Sequence, residues 1–223
     1  MDTSALEIAR EAGLDLLRTP EGLTLTDGAM ELRADFSRML PRLRQGRLSH
    51  ELLVKAAKVK GVAEPVAVDA TAGFGEDSLL LAAAGFTVEL FERDAVIAAL
   101  LADALERAAD DPALAPVVAR MHLNAGDSLA GMGALAARGT RVDVVYLDPM
   151  FPGRTKSAAV KKKFQLLHHL ERPCDSEAEL VDAARALGPR KVVIKRPVKG
   201  PYLAGIKPSY QLAGKAVRYD VLV

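Results

Sequence analysis

The chain has 223 residues, enough for one sizeable α/β core with a small appended region. Half of them are hydrophobic and 26% are charged, the balance of a soluble globular protein. Lys and Arg total 30 against 29 Asp and Glu, which excludes a general polycation, so any nucleic-acid surface must be local.

The N-terminal part, residues 1–60, reads as a small region of helix and β-hairpin. An amphipathic helix is predicted from Ala5 to Ala12. Leu23-Thr-Leu-Thr, then Asp27-Gly28, then Ala29-Met-Glu-Leu-Arg is a hairpin pattern. Arg38, Arg42, Arg44 and Arg47 follow, and a helix begins near Ser49, with Leu52, Leu53, Ala56 and Val59 on its apolar side. This region is a candidate for RNA docking.

From 61 to 223 the pattern becomes short apolar strands alternating with helices. Strands are predicted at Val66–Val68, Thr87–Phe91, Met121–Leu123, Val142–Leu147, Lys191–Lys195 and Val217–Val223. Helices are predicted at Asp77–Ala84, Ala95–Ala109, Leu129–Ala137 and Ser176–Leu187. Such alternation implies an α/β doubly wound, Rossmann-like sheet, mostly parallel. Ligands then bind beyond the carboxyl ends of the strands.

Four of those strand ends carry chemistry. The first loop reads Asp69-Ala-Thr-Ala-Gly73-Phe-Gly75-Glu76-Asp77. Its two glycines permit a tight turn and close approach of a ligand. Glu92 ends the next strand, where a carboxylate can accept both hydroxyls of a ribose. A nicotinamide site shares this plan, but its pyrophosphate would be repelled by Asp69, Glu76 and Asp77. The third glycine of G-x-G-x-x-G is also missing. These carboxylates suit a ligand with a sulfonium and an α-ammonium group, so S-adenosylmethionine is the expected cofactor. Asp127 and Ser128 follow the third strand. Either can face an adenine or cap the next helix.

The fourth strand delivers Asp148-Pro149-Met150-Phe151-Pro152. An exocyclic base amine is a poor nucleophile because its lone pair is delocalised into the ring. Two acceptors, the Asp148 carboxylate and the Pro149 carbonyl, would aim that lone pair at a methyl donor. Phe151 can stack on the base. An Asp-Pro pair alone is usually an ordinary turn; here the strand end and the neighbouring residue types favour catalysis.

The loop is similar to the D/N-P-P-Y/F loop of amino-group methyltransferases, with Met150 in place of the second proline. More narrowly, Asp69-Ala-Thr-Ala-Gly73-Phe-Gly75, Phe91-Glu92-Arg93, Val96–Leu101, Tyr146–Pro152, Lys156-Ser157-Ala158, Val160-Lys161-Lys162 and Val193-Ile-Lys-Arg-Pro197 resemble the ribosomal small-subunit methyltransferase J family. The resemblance covers roughly residues 45 to 223. It implies a class I methyltransferase fold with an antiparallel C-terminal strand, and N2-methylation of a guanosine in small-subunit (16S) ribosomal RNA. It also implies cofactor contacts at Glu76, Asp77, Glu92, Arg93, Asp127, Ser128 and Asp148. An adenine-N6 methyltransferase on DNA or RNA, or a paralogue with another amine substrate, is the alternative.

Arg154, Lys156, Lys161, Lys162 and Lys163 adjoin Phe151 and are the expected RNA-binding group, with Lys195 and Arg196 beside them. The partner would be small-subunit rRNA or the assembling subunit. No metal is expected: Cys174 is the only cysteine, and His168 and His169 are adjacent, so on a helix they diverge. No run approaches the ~18 apolar residues of a membrane span, and a cytoplasmic protein is the expectation.

Overall fold

The computed structural model describes residues 3–149 and 176–223. Helix α1 (Thr3–Glu11) buries Ala5 and Ala9, one turn apart on one face. Strands β1 (Asp15–Thr19), β2 (Gly22–Thr26) and β3 (Glu31–Leu32) then form a small antiparallel sheet. The expected Asp27-Gly28 hairpin is present, with Leu25 opposite Leu32 and Thr26 opposite Glu31. Asp27 closes the turn by accepting from the N–H groups of Ala29 and Met30 at 2.9 and 2.7 Å.

Three short helices, α2 (Leu40–Leu43), α3 (Gln45–Leu48) and α4 (Leu52–Ala57), lead into the main sheet. Its elements are β4 (Val66–Asp69), α5 (Glu76–Ala83), β5 (Thr87–Glu92), α6 (Ala95–Ala109), α7 (Ala115–Val118), β6 (Met121–Ala125), α8 (Ser128–Ala137) and β7 (Val144–Leu147). After 176 come α9 (Glu177–Ala186), β8 (Lys191–Pro197), β9 (Tyr210–Ala213) and β10 (Val217–Leu222). The seven strands run in the order β6-β5-β4-β7-β8-β10-β9. Pairing is parallel from β6 through β8, and β10 is antiparallel to both its neighbours.

Successive side chains on a strand point to opposite faces. Val144 and Tyr146 therefore join one apolar cluster with Leu79, Leu80, Leu100, Val193 and Tyr219, while Val145 and Leu147 join another with Met132, Leu180, Val192 and Ile194. Burial on both faces explains why these strands read as unbroken apolar runs. Leu16, Leu25 and Phe36 of the N-terminal region belong to the first cluster.

The N-terminal sheet is fastened to α6 through Asp103, which is 4% exposed. Its carboxylate accepts from Leu23 N–H at 3.0 Å, Arg18 at 3.2 Å and Arg107 at 2.7 Å. Arg107 also donates to the Ala34 carbonyl at 2.6 Å. Strand order reverses between β4 and β7, whose outward neighbours lie on opposite sides. The carboxyl ends of those two strands carry Asp69 and Asp148.

Candidate active site

The loop after β4 is stitched to both neighbouring strands. Ala70 N–H donates to the Tyr146 carbonyl at 3.1 Å, and Ala72 N–H to the Phe91 carbonyl at 3.0 Å. Gly73 and Gly75 have φ of 54° and 74°, the left-handed region that favours glycine. They do different jobs. A Cβ on Gly75 would strike Leu101 and crowd Phe36, whereas one on Gly73 would meet nothing within 4 Å. Gly75 is thus closed in by the core, and Gly73 faces open space.

Glu92 is 9% exposed. One carboxylate oxygen accepts from Gly73 N–H and the other from Asp94 N–H, both at 2.8 Å. Burial pushes its pKa up against those two bonds. Each oxygen keeps a lone pair for a further donor, which fits the two hydroxyls of a ribose.

Asp69 is 1% exposed. Ser78 donates to one oxygen at 2.5 Å, and Thr71 N–H to the other at 3.0 Å. Burial drives its pKa to about 7 despite these bonds, and the nearby charges of Asp77 and Asp148 push the same way. Thr71 also accepts from the Asp148 backbone N–H at 2.7 Å. The loop after β4 and the loop after β7 are therefore joined through Thr71 and Asp69.

Asp148 is anchored from a second side. The Lys195 ammonium lies 2.8 Å from its carboxylate and 2.6 Å from that of Asp77. Tyr146 donates to the same Asp77 oxygen at 2.6 Å. Burial would depress the Lys195 pKa, but Asp148 and Asp77 outweigh it, raise the value and hold the ammonium charged. Burial, then Asp77 and Asp148, raise Tyr146 well above the ordinary phenol value, so it stays a neutral donor. Two carboxylates, Asp77 and Asp148, share one ammonium here, which leaves the pocket electronegative. Such a site accommodates a sulfonium and an α-ammonium and disfavours a pyrophosphate.

The structure gathers Asp69, Gly73, Gly75, Asp77, Glu92, Asp148 and Pro149 at one sheet edge. Glu76 and Arg93 are exposed beside them. Asp127 caps α8 by accepting from Leu129 N–H at 3.1 Å, one of its two expected roles. Phe151, Arg154, Lys156, Lys161, Lys162 and Lys163 lie outside the described residues. Lys195 is turned to the two aspartates. Arg196 is 1% exposed, with Nε donating to the Pro201 carbonyl at 3.0 Å and Nη1 at 3.8 Å from Glu177. Of the N-terminal arginines, Arg42 makes a two-point pair with Glu51, both bonds at 2.8 Å. The roles of Thr71, Ser78, Tyr146 and Tyr219 are not apparent from sequence motifs. For Lys195, the one local sign of an inward side chain is its place directly after the apolar run Val192-Val-Ile194.

A family model described as a putative SAM-dependent methyltransferase matches residues 1–223. The Ribosomal RNA small subunit methyltransferase J of Thioalkalivibrio sulfidiphilus is 45% identical over 203 residues, 90% of this chain and 79% of that protein. Its namesake from Marinobacter nauticus is 42% identical over 219 residues, 95% and 78% of the two chains. The chain belongs to the ribosomal RNA small-subunit methyltransferase J family.

A SAM-dependent methyltransferase from Neisseria gonorrhoeae, solved by crystallography, matches all of this chain and 92% of its own, with TM-score 0.74 and 31% identity. The rRNA methyltransferase aviRa from Streptomyces viridochromogenes shares the fold at 16% identity, with TM-score 0.52 over 79% and 83% of the two chains. The seven-stranded sheet of this methyltransferase J family member is accordingly a class I methyltransferase sheet, and its cofactor is S-adenosylmethionine. Among the described residues no helix is long and apolar enough to cross a membrane, and no group of three or more His, Cys, Asp or Glu could hold a metal ion.

Proposed function

We propose that the chain methylates the exocyclic N2 amine of a guanosine in small-subunit ribosomal RNA. The observation that carries this reading is the position of Asp148. Its carboxylate is fixed at the end of β7, and its backbone N–H is bonded to Thr71 of the cofactor loop at 2.7 Å. The acceptor for an amine and the loop for the methyl donor are thereby parts of one hydrogen-bonded unit. The rRNA substrate is supported by the names of the relatives.

When bound, the cofactor supplies an electrophilic methyl on a sulfonium, whose C–S bond breaks with its electron pair left on sulfur. The chain's task is placement, a proximity and orientation effect. Asp148 and the Pro149 carbonyl accept the two amine hydrogens, so the nitrogen lone pair faces the methyl carbon and forms the new N–C bond. The methylated nitrogen then sheds one proton to the Asp148 carboxylate. Glu92 would hold the ribose, Asp77 and Glu76 would attract the cationic end of the cofactor, and Asp127 and Ser128 would face the adenine. Phe151 stacks on the target base, which must be unpaired or flipped to reach Asp148.

For RNA contact the reading relies on Arg154, Lys156, Lys161, Lys162 and Lys163. Lys195 and Arg196 would have to leave their present partners to reach phosphate. Residues 1–60 form a second RNA-docking region, and the enzyme works in the cytoplasm. Methyl transfer from labelled S-adenosylmethionine to naked small-subunit rRNA, assembled small subunits and duplex DNA tests the substrate. Label in rRNA or subunits is expected, and label confined to DNA would sink the proposal.

A further inference from the structure

We propose that Lys195 is a positioning residue for methyl transfer, clamping Asp77 of the cofactor loop and Asp148 of the amine site through one ammonium. The inference rests on the assignment of Asp148 as the amine acceptor.

Lys195 lies on β8, opposite Tyr219 of β10 and just beyond the β7–β8 pairing that sets Leu147 against Ile194. Its side chain is 17% exposed. A lysine serving a phosphate-binding face would extend into solvent. This one is folded inward, with contacts of 2.6 and 2.8 Å to two carboxylates from different elements.

The groups around it come from every element packed on the site. They are Asp77 from α5, Asp69 from β4, Tyr146 and Asp148 from β7 and its end, and Tyr219 from β10. Arg42 of α2 and Glu51 before α4 pair with each other behind them and act on Tyr219 and Asp77 from a distance. Among these, the Lys195 ammonium is the cation that touches both site carboxylates. Two carboxylates this close repel, and without a cation one tends to take up a proton. A protonated Asp148 would present a donor where the amine needs an acceptor, and would have no capacity for the amine's departing proton. Lys195 keeps its own proton throughout; it aims Asp148 and keeps it anionic.

The test uses Lys195→Met and Lys195→Arg in the full chain, with small-subunit rRNA as acceptor. Turnover is measured as a function of pH, and S-adenosylmethionine affinity by calorimetry. Lys195→Met is expected to lower kcat about 10–100-fold near neutral pH, the scale of a misplaced catalytic group. Its acid limb moves to higher pH, so part of the loss is recovered in base, while cofactor binding is retained because the proton taken up replaces the lost ammonium charge and the bonds that hold Glu92 are untouched. Lys195→Arg returns the acid limb to its original position. An unmoved limb in Lys195→Met, or an equal loss of cofactor binding in both variants, would overturn the proposal. Asp148→Asn, run alongside, separates the two claims. If it keeps turnover, the assignment of Asp148 itself fails. If it is inactive while the Lys195→Met profile matches wild type, only the role of Lys195 fails.

Discussion

The two walls of the proposed active site, one facing the cofactor and one the amine, hold their carboxylates by different means. On the cofactor wall, Glu92 is fixed by two backbone N–H groups, from Gly73 and Asp94, and Asp69 by Ser78 and Thr71. On the amine wall, Asp148 is fixed by the Lys195 ammonium, which it shares with Asp77. Three of the four donors on the cofactor wall are backbone N–H groups, which are part of the fold and keep their place when a side chain changes. An ammonium is one substitution away from absence. The cofactor wall should therefore respond mainly to changes of shape, and the amine wall mainly to changes of charge.

The largest expected effect is on the amine wall. Asp148→Asn should lower turnover by about 10²–10⁴-fold, the usual worth of a positioned proton acceptor, with cofactor affinity retained. Turnover assays and calorimetry on one preparation check both halves. Next, Glu92→Gln should reverse that pattern. It replaces a charged acceptor, worth roughly 1.5–3 kcal/mol, so the cofactor Kd rises while kcat at saturating cofactor changes little. If Glu92→Gln instead removed kcat alone, the separation of the walls would be wrong.

The two glycines sharpen the comparison within the cofactor wall. Each alanine variant carries a left-handed φ penalty of roughly 1–2 kcal/mol. Gly75→Ala adds a clash with Leu101 and Phe36 and should unfold at clearly lower urea than Gly73→Ala. Gly73→Ala, whose new methyl points into open space, should instead lose cofactor affinity. The last effect concerns pH. Burial raises Asp69 from 3.8 to about 7, so the native state holds that proton more tightly than the unfolded chain. Its contribution to stability is complete below pH 3.8, fades as pH rises and is gone above about 7. In Asp69→Asn that fading is absent, so its Tm should gain on wild type as pH rises through this window, as a melting series would record.

Much of this architecture is legible in the sequence because the main strands are short apolar runs bounded by glycine, aspartate or proline. Ala95–Ala109 is a helix over the expected span, and most other expected elements shift by only one to three residues at either end. The strand β1 escapes pattern reading because Asp15-Leu-Leu-Arg-Thr has no β-branched alternation; its pairing with β2 defines it. Likewise β9, Tyr210–Ala213, is an edge strand whose side chains are mostly exposed. In the site, Gly73, Glu92 and Asp148 stand at strand ends, which a topological rule can find. The partners of Lys195 cannot be found that way. Asp77 is 118 residues distant in sequence, and a local pattern only marks Lys195-Arg196 as basic. Its neighbourhood, set by the order β4-β7-β8, converts an expected phosphate contact into an internal ion pair.

The central claim is that this site methylates a guanine amine in ribosomal RNA. Nucleoside mass spectrometry is the most direct check, applied to small-subunit rRNA treated with the enzyme and methyl-labelled S-adenosylmethionine. The account predicts labelled N2-methylguanosine that disappears with Asp148→Asn. Labelled N6-methyladenosine, or label that persists in Asp148→Asn, would contradict it.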